Sequence, residues 1–422
     1  MPSLDEYQSK QLVSKAGLRV PRGRLASTAR EARDIAEWIG GHVVLKAQLP
    51  TTGRLGIGGV RFADDPTEAE RIAESLLRDG VGTFKVTSLL VEEELKIEVE
   101  FFAGVIVSDS YKVKGPVIMF STEGGTGIED IAVRCPEKVA SMSVDILTGP
   151  IARDVEDLIS GLGVGPDALK PLRESVCTLY KVFRECDARS AEVNPLALTA
   201  SGQVYAVDCR IVVDEASVFR HAELGVDFPR DLGRGPTCLE RIAWEVEKED
   251  YRGTGYFAQM AEGFQQGQRY VGFHGLGGGG AMLSADALIG QGLQLADYAD
   301  TSGNPTASKV YRIAKIILSQ PNIDGYAVMG PGIANQDQWH TALGLVRALR
   351  EELPGRPGFP VVILLAGNKE AESLEIIREG LKDLPARIEV FGHEHVARVD
   401  YVAQRMRALV DQYVKEREGS HE

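Results

Sequence analysis

An α/β chain with two unlike halves is the fold class this sequence predicts, on three observations. From about residue 270 onward, short apolar runs alternate with amphipathic helical patterns, the signature of βαβ units and a parallel sheet covered on both faces. Before about residue 210, strand-like runs are joined by glycine-rich or polar turns and interspersed with helices, which favours hairpins. At 422 residues the chain is also long for one core, so more than one domain is expected. A hydrophobic content of 44% with 26% charged residues is that of a globular protein. The net charge of −14 argues against nucleic acid or an anionic membrane as the main partner. Cys135, Cys177, Cys186, Cys209 and Cys238 form no CxxC pair and no His-linked metal spacing, so reduced thiols in a cytoplasm are expected. The polar start carries no signal peptide, and no apolar run approaches the roughly 20 residues of a membrane span.

In chain order, residues 4–16 have helical spacing with Tyr7, Leu12, Val13 and Ala16 near one face, and Gly17 as a stop. A second helix is expected over 28–39, then a short apolar strand over 42–47 that ends on Lys46. Thr51-Thr52-Gly53-Arg54-Leu55-Gly56-Ile57-Gly58-Gly59-Val60 reads as a glycine-rich hairpin loop. Glycines let backbone N–H groups approach phosphate oxygens, while Lys and Arg neutralise charge. No Gly-Lys-Ser/Thr follows, so this is not a Walker A loop. After a helix over 66–78, a strand over 87–94 runs into an acidic corner containing Glu92. The next strand carries Glu98 and Glu100 on one face, and Ser121-Thr122-Glu123-Gly124-Gly125 is a second glycine turn. A helix over 171–187 leads into Ala191-Glu192-Val193-Asn194-Pro195 and Val204-Tyr205-Ala206-Val207-Asp208, a hairpin with Glu192 and Asn194 on one face. A three-residue turn over 200–202 would set Asp208 opposite Asn194. Hard oxygen donors converging in this way suit Mg²⁺; the alternative is a solvated acidic face.

Taken jointly, Val-Val-Leu-Lys, the Gly-Arg loop, the Leu-Val-Glu strand, Ser-Thr-Glu-Gly-Gly and Glu-Val-Asn-Pro-Leu resemble the β subunits of succinyl-CoA synthetase, as does the opening Leu4-Asp5-Glu6-Tyr7-Gln8. The resemblance runs through nearly the whole chain. It implies an ATP-grasp domain over 1–225, a linker over 226–266 and a flavodoxin-like CoA-ligase domain over 267–422. It further implies that Lys46, Gly53, Arg54 and Leu55 hold ATP phosphates, with Glu92 and Glu100 near the nucleoside and Asn194 and Asp208 as Mg²⁺ ligands. Glu192 falls where the family has a glutamate that orients a phosphohistidine, carried by an α-type partner that also binds most of the CoA.

In the second half, Gly275-Leu276-Gly277-Gly278-Gly279-Gly280 follows a strand and opens a helix, with Asp297 and Asp300 further on. The spacing also fits a dinucleotide-binding dehydrogenase; under either reading a helix start with bare N–H groups is an anion site. His274, His340, His393 and His395 all read as structural or surface residues, which leaves the chain without an evident catalytic histidine. Thr301-Ser302-Gly303-Asn304-Pro305 and Gly330-Pro331-Gly332-Ile333-Ala334-Asn335 each precede a helix and offer N–H donors to a carboxylate. These loops and Val390-Phe391-Gly392-His393-Glu394 are similar to ATP-citrate lyase and citryl-CoA synthetases. The likeness makes Gly277, Gly303, Gly332, Ile333, Ala334 and Asn335 the acid-binding residues. Leu365-Ala366 stands where citrate-using relatives carry arginine, so the acid remains open between succinate, citrate and related acids. The whole pattern implies the ATP-binding subunit of a hetero-oligomeric, ADP-forming acid–CoA ligase. Its rivals are the dehydrogenase and a nucleotide-binding regulatory paralogue without catalysis.

Overall fold

The computed structural model describes residues 2–419, apart from 50–53, 83, 126, 227–235, 250–251, 253, 262 and 331–335. The chain forms two compact units, Met1–Gly235 and Pro236–Glu422. Unit 1 opens with helix α1 (Glu6–Lys15), started by a capping box in which Asp5 and Gln8 satisfy each other's backbone N–H. Strand β1 (Gly23–Ala26), helix α2 (Ala29–Ile39), strands β2 (Val43–Ala47) and β3 (Val60–Ala63), helix α3 (Pro66–Asp79) and strand β4 (Leu89–Glu93) form the first lobe. Its sheet is antiparallel, ordered β1-β4-β2-β3. Thr28 and Asp65 cap α2 and α3, whose apolar stripes bury Ile35 and Leu76 with Leu45 and Leu89 of the sheet.

The second lobe comprises β5 (Ile97–Ser108), β6 (Gly115–Ser121), α4 (Ile128–Arg134), β7 (Val139–Ser143), α5 (Ala152–Ser160), α6 (Pro166–Glu185), β8 (Ala188–Thr199), β9 (Val204–Ala206) and β10 (Cys209–Val213). The sheet order is β10-β8-β5-β6-β7, with β9 also on β8, and every pairing is antiparallel. The core below it gathers Phe120, Leu172, Val176, Leu179 and Ile211. The turn between β8 and β9 is the expected three-residue one. Thr199 N donates to the Gln203 carbonyl at 2.9 Å, and Gly202 takes the left-handed φ of 74° that such a turn requires. The register carries through: Leu196 faces Ala206, Val193 faces Cys209, and Asn194 N donates to the Asp208 carbonyl at 3.0 Å.

Within 226–266, the stretch expected to be a linker, lie helix α7 (Cys238–Lys248) and strand β11 (Tyr256–Gln259). Both belong to unit 2: Ala243, Val246 and Phe257 enter its core, and β11 pairs antiparallel with β14 (Asp297–Asp300). The rest of unit 2 follows the expected alternation: β12 (Tyr270–Gly275), α8 (Gly278–Gly290), β13 (Gln294–Leu295) ahead of β14, α9 (Ala307–Leu318), β15 (Gly325–Met329), α10 (Trp339–Glu352), β16 (Pro360–Leu364), α11 (Glu370–Leu381), β17 (Arg387–Phe391) and α12 (Val399–Gly419). The parallel order β14-β12-β15-β16-β17 is the flavodoxin-like arrangement, in which the second strand lies beside the first and the rest run outward. Helices α8 and α12 cover one face over Val271, Leu288 and Met406, while α9, α10 and α11 cover the other over Ile313, Leu345 and Ile377. The switch point of such a sheet lies beyond the carboxyl ends of β12 and β15.

Candidate functional site

Two of the predicted phosphate-binding residues, Lys46 and Arg54, meet in a buried charge cluster of unit 1. Lys46 lies in the fully buried strand β2 and Glu92 in the neighbouring β4, with Lys46 6% and Glu92 2% exposed. Arg54 leads the turn between β2 and β3, and Asp208 joins β9 to β10. Two residues that the apolar pattern of α1 did not single out complete the set, Glu6 and Lys10. The buried side of α1 is Glu6, Ser9, Lys10 and Val13. Hydrophobic periodicity points elsewhere; the signal available was the i, i+4 Glu–Lys pair on the stripe that also carries Val13.

Each charge has opposite partners. The Lys46 Nζ donates to Glu6 Oε1 at 2.9 Å and to the Val207 carbonyl at 2.7 Å, and lies 2.6 Å from Glu92 Oε1. Lys10 Nζ bridges the same two carboxylates, 2.8 Å from Glu6 Oε1 and 2.6 Å from Glu92 Oε2. Arg54 Nη2 donates to Asp208 Oδ2 at 2.7 Å and makes a 2.7 Å ionic contact with Glu6 Oε2. Its Nη1 donates to the Ala47 carbonyl at 3.3 Å. Three cations therefore balance three carboxylates in a low-dielectric setting where an unpaired charge would be costly. Burial pushes the Glu6 carboxyl up, but Lys10, Lys46 and Arg54 more than reverse this and hold it well below the usual carboxylate range. For Lys46, burial disfavours the ammonium, yet Glu6, Glu92 and Asp208 leave it firmly charged. Asp208 shifts the other way: burial and the Glu6 charge raise its pKa, and Arg54 and Lys46 offset only part. It is also the most open member, its side chain 37% exposed.

Asn194 stands opposite Asp208 on β8, its Oδ1 accepting from Gly125 N at 2.6 Å. Gly125 in turn lies against Glu100: a Cβ there would be 2.9 Å from Glu100 Oε2, and one on Gly124 would meet the Phe101 carbonyl at 2.7 Å. The glycines of Ser121–Gly125 thus let that loop close between Glu100 and Asn194. Glu192 is two residues before Asn194 on β8, half-buried, between Gly104 of β5 and Arg210 of β10. Glu92 and Glu100, expected together at the nucleoside, have different surroundings: Glu92 is saturated by two lysines, whereas Glu100 is exposed on β5. Leu55 is 67% exposed at the turn, and Gly53 lies outside the described residues. The Asn194 amide oxygen and the Asp208 carboxylate are hard donors of the kind Mg²⁺ takes, one on β8 and one between β9 and β10, bonded to Gly125 N and Arg54, with Asp208 the more open of the cluster.

In unit 2, α8 starts at Gly277, whose φ of 130° only glycine adopts readily. Asp300, at the end of β14, accepts from Gly277 N at 3.1 Å and Ser302 N at 2.7 Å, tying the loops after β12 and β14 together. Gly330 packs on Leu276, where a Cβ would fall 2.6 Å from that of Leu276, so the loop after β15 begins at the same edge. Gly303 approaches Gly277, with its N 3.9 Å from a Cβ placed there. Gly332, Ile333, Ala334 and Asn335 lie outside the described residues. The dehydrogenase reading finds no support. Asp297 is fully buried against Gln320 Nε2 at 2.6 Å, with its pKa well raised by burial, and Asp300 turns a carboxylate toward the N–H groups a pyrophosphate would need. His274 is structural, as expected: it is buried between Tyr326 Oη at 2.7 Å and Thr301 Oγ1 at 2.9 Å, and burial lowers its pKa to about 3.

Comparison with known proteins gives matches to both units. A family model described as ATP-grasp domain matches residues 3–198, and one described as ATP citrate lyase citrate-binding matches 270–405. The ADP-forming succinate–CoA ligase β subunit of Rubrobacter xylanophilus is 33% identical over 379 residues, 89% of this chain and 92% of that protein. The GDP-forming β subunit of Thermus thermophilus is 32% identical over 376 residues, 89% and 93%. Among solved structures, the ATP citrate lyase of Methanothrix soehngenii, in complex with citrate and coenzyme A, superposes with a TM-score of 0.77 at 21% identity, over 96% of this chain and 99% of that one.

Proposed function

This chain belongs to the succinate–CoA ligase β-subunit family, and on that premise we propose that it is the ATP-binding subunit of an ADP-forming carboxylate–CoA ligase. The observation that carries this reading is the convergence of Lys46, Arg54 and Asp208, from three separate stretches of unit 1, on one charge cluster. All three Lys46 donors are engaged by the protein, and Arg54 Nη2 donates to Asp208 while lying in ionic contact with Glu6. Phosphates that reach Lys46 therefore bind by exchange of one of these partners. Asp208, the exposed partner, is the one to yield: it releases Arg54 to the phosphates and turns with Asn194 to hold Mg²⁺. That ion would supply neutralisation of charge on the transferring phosphoryl group. Glu6, Lys10 and Glu92 stay behind Lys46 and Arg54 and keep them aimed. Loop 53–55 lines the phosphates, and Glu100 serves the nucleoside side.

Glu192 accepts a hydrogen bond from an imidazole of an α-type partner and fixes its tautomer, so that the other nitrogen can receive the phosphoryl group. That partner binds most of the CoA. In unit 2, the Gly277 and Gly303 loops and residues 332–335 receive the acid's carboxylate. Succinate is the first reading for the acid, from the names of the relatives. Citrate is the second, favoured by the match of 270–405 to the citrate-binding family. A cytoplasmic hetero-oligomer completes the proposal. The test is CoA-dependent ADP release by the chain with its partner, across succinate, citrate, malate and acetate. Release with one di- or tricarboxylate is expected, and none with any acid would overturn the reading.

A further inference from the structure

We propose a second anion site in unit 1, at the end of the larger sheet away from Asn194, that takes a small multivalent anion of the polyphosphate or polycarboxylate class. A cleft of about 390 Å³ opens there among the end of β5, the start of β6, the end of α6, the start of β8 and the turn after β10. Four cations from four separate segments line it: Lys114, Arg184, Arg189 and Arg220. Of the two carboxylates in its wall, Asp187 is paired and Asp214 is held by a backbone amide, so four cations face two anions. Asp187 Oδ2 is held by Arg220 at 2.7 Å and by His221 Nε2 at 2.6 Å, and Asp214 Oδ1 accepts from Ala216 N at 2.9 Å. Among the described residues Lys114, Arg184 and Arg189 have no ion-pair partner.

In a chain of net charge −14, with acidic side chains abundant, three unpaired cations around one cleft are a local reversal of sign. The backbone also departs from its usual conformations at this place. Lys114 has φ 45°, a left-handed conformation unfavourable for lysine, and Asp187 has φ 48°, one that an aspartate tolerates; both line the cleft. Phe183, buried, and Val107, Pro116 and Ile146 supply an apolar wall for the body of a ligand whose charged groups meet the guanidinium forks. Arg189 lies five residues before Asn194 on β8, roughly 17 Å away at the rise of a strand. The cleft is therefore a place apart from the Lys46–Arg54 cluster, and the proposal stands whether or not that cluster binds ATP.

The experiment is calorimetric titration of the full chain with pyrophosphate and, separately, with citrate, at constant ionic strength. Wild type is compared with the double variant R184Q/R189Q, whose altered side chains sit at the surface and leave the fold alone. Loss of two charge-assisted contacts should weaken the cleft's binding event by roughly tenfold or more, with the affinity for ADP and Mg²⁺ unchanged. Loss confined to pyrophosphate assigns the site to phosphates, and loss confined to citrate assigns it to polycarboxylates. Identical isotherms in the two proteins for both anions would overturn the proposal.

Discussion

In the proposed reading Asp208 links the ion cluster to the metal, since it is both the open partner of Arg54 and the neighbour of Asn194. Asp208→Asn keeps the size and removes the charge, so the KM for Mg²⁺–ATP should rise by about tenfold or more with the fold retained; a Mg²⁺ titration of the rate reads this. Because the Asp208 pKa is raised, its anionic form, and with it nucleotide binding, should fade on acidification sooner than an ordinary Asp would dictate. Glu6 acts from behind. Glu6→Gln would turn an amide donor toward Arg54 and leave the buried cations undercompensated, at a cost of about 3–5 kcal/mol in stability; denaturant unfolding measures it, and Glu6→Asp should recover part. His221 gives a pH signature. Its pKa is raised by hydrogen bonds to Asp187 and Glu223, so the stabilisation is fully present below the unfolded value near 6.5 and is lost as pH rises through the folded value. The Tm gap between wild type and His221→Gln should therefore be larger at about pH 6 than at about pH 9. At this scale Lys46, Arg54, Asn194 and Asp208 were readable from loop chemistry and hairpin register. Glu6 and Lys10 were not, because a charged side chain on a buried helix stripe runs against the rule that finds buried stripes.

The elements that position these residues were legible where period and turn agree. The β8–β9 register could be counted out from one three-residue turn, and the fully buried strands β12, β15 and β16 announced a parallel sheet as continuous apolar runs. Helix α7 and strand β11 were missed because a polar surface helix beside a four-residue edge strand carries little hydrophobic signal. The glycine run after β12 was ambiguous for a different reason: a helix start offers the same N–H groups to any anion. What separates the readings is Asp297 and Asp300, one buried and one turned into the loop, and no spacing rule shows that. The start of α8 yields its own prediction. Gly277→Ala forces an alanine to φ 130°, a strain of about 1–3 kcal/mol. Acyl-CoA formation should drop while ATP binding to unit 1 persists; the two are read by thioester assay and by ADP titration. Loss of both together would place the function of this loop elsewhere.

At the scale of the molecule, the chain contains a buried cation pair, Lys46 and Arg54, in one unit and a glycine-lined helix start at the switch point of the other, which the proposed reading assigns to phosphates and to the acid. Among its described histidines, His274 is sealed in the core and His221 is bound to Asp187 and Glu223. His393 and His395 are tied to Glu370 and Glu394. His42 meets Asp64 and the ring of His340 stacks on Trp339. On the proposed reading the phosphoryl carrier comes from another chain, with Glu192 to receive it. The most direct measurement is transfer of labelled γ-phosphate from ATP with Mg²⁺, followed on each polypeptide after rapid mixing. The chain alone should take up no acid-labile phosphate. With its α-type partner the label should appear on a histidine of the partner, more slowly when Glu192 is replaced by Gln. Label on a histidine of this chain, or acyl-CoA made by it alone, would contradict the account.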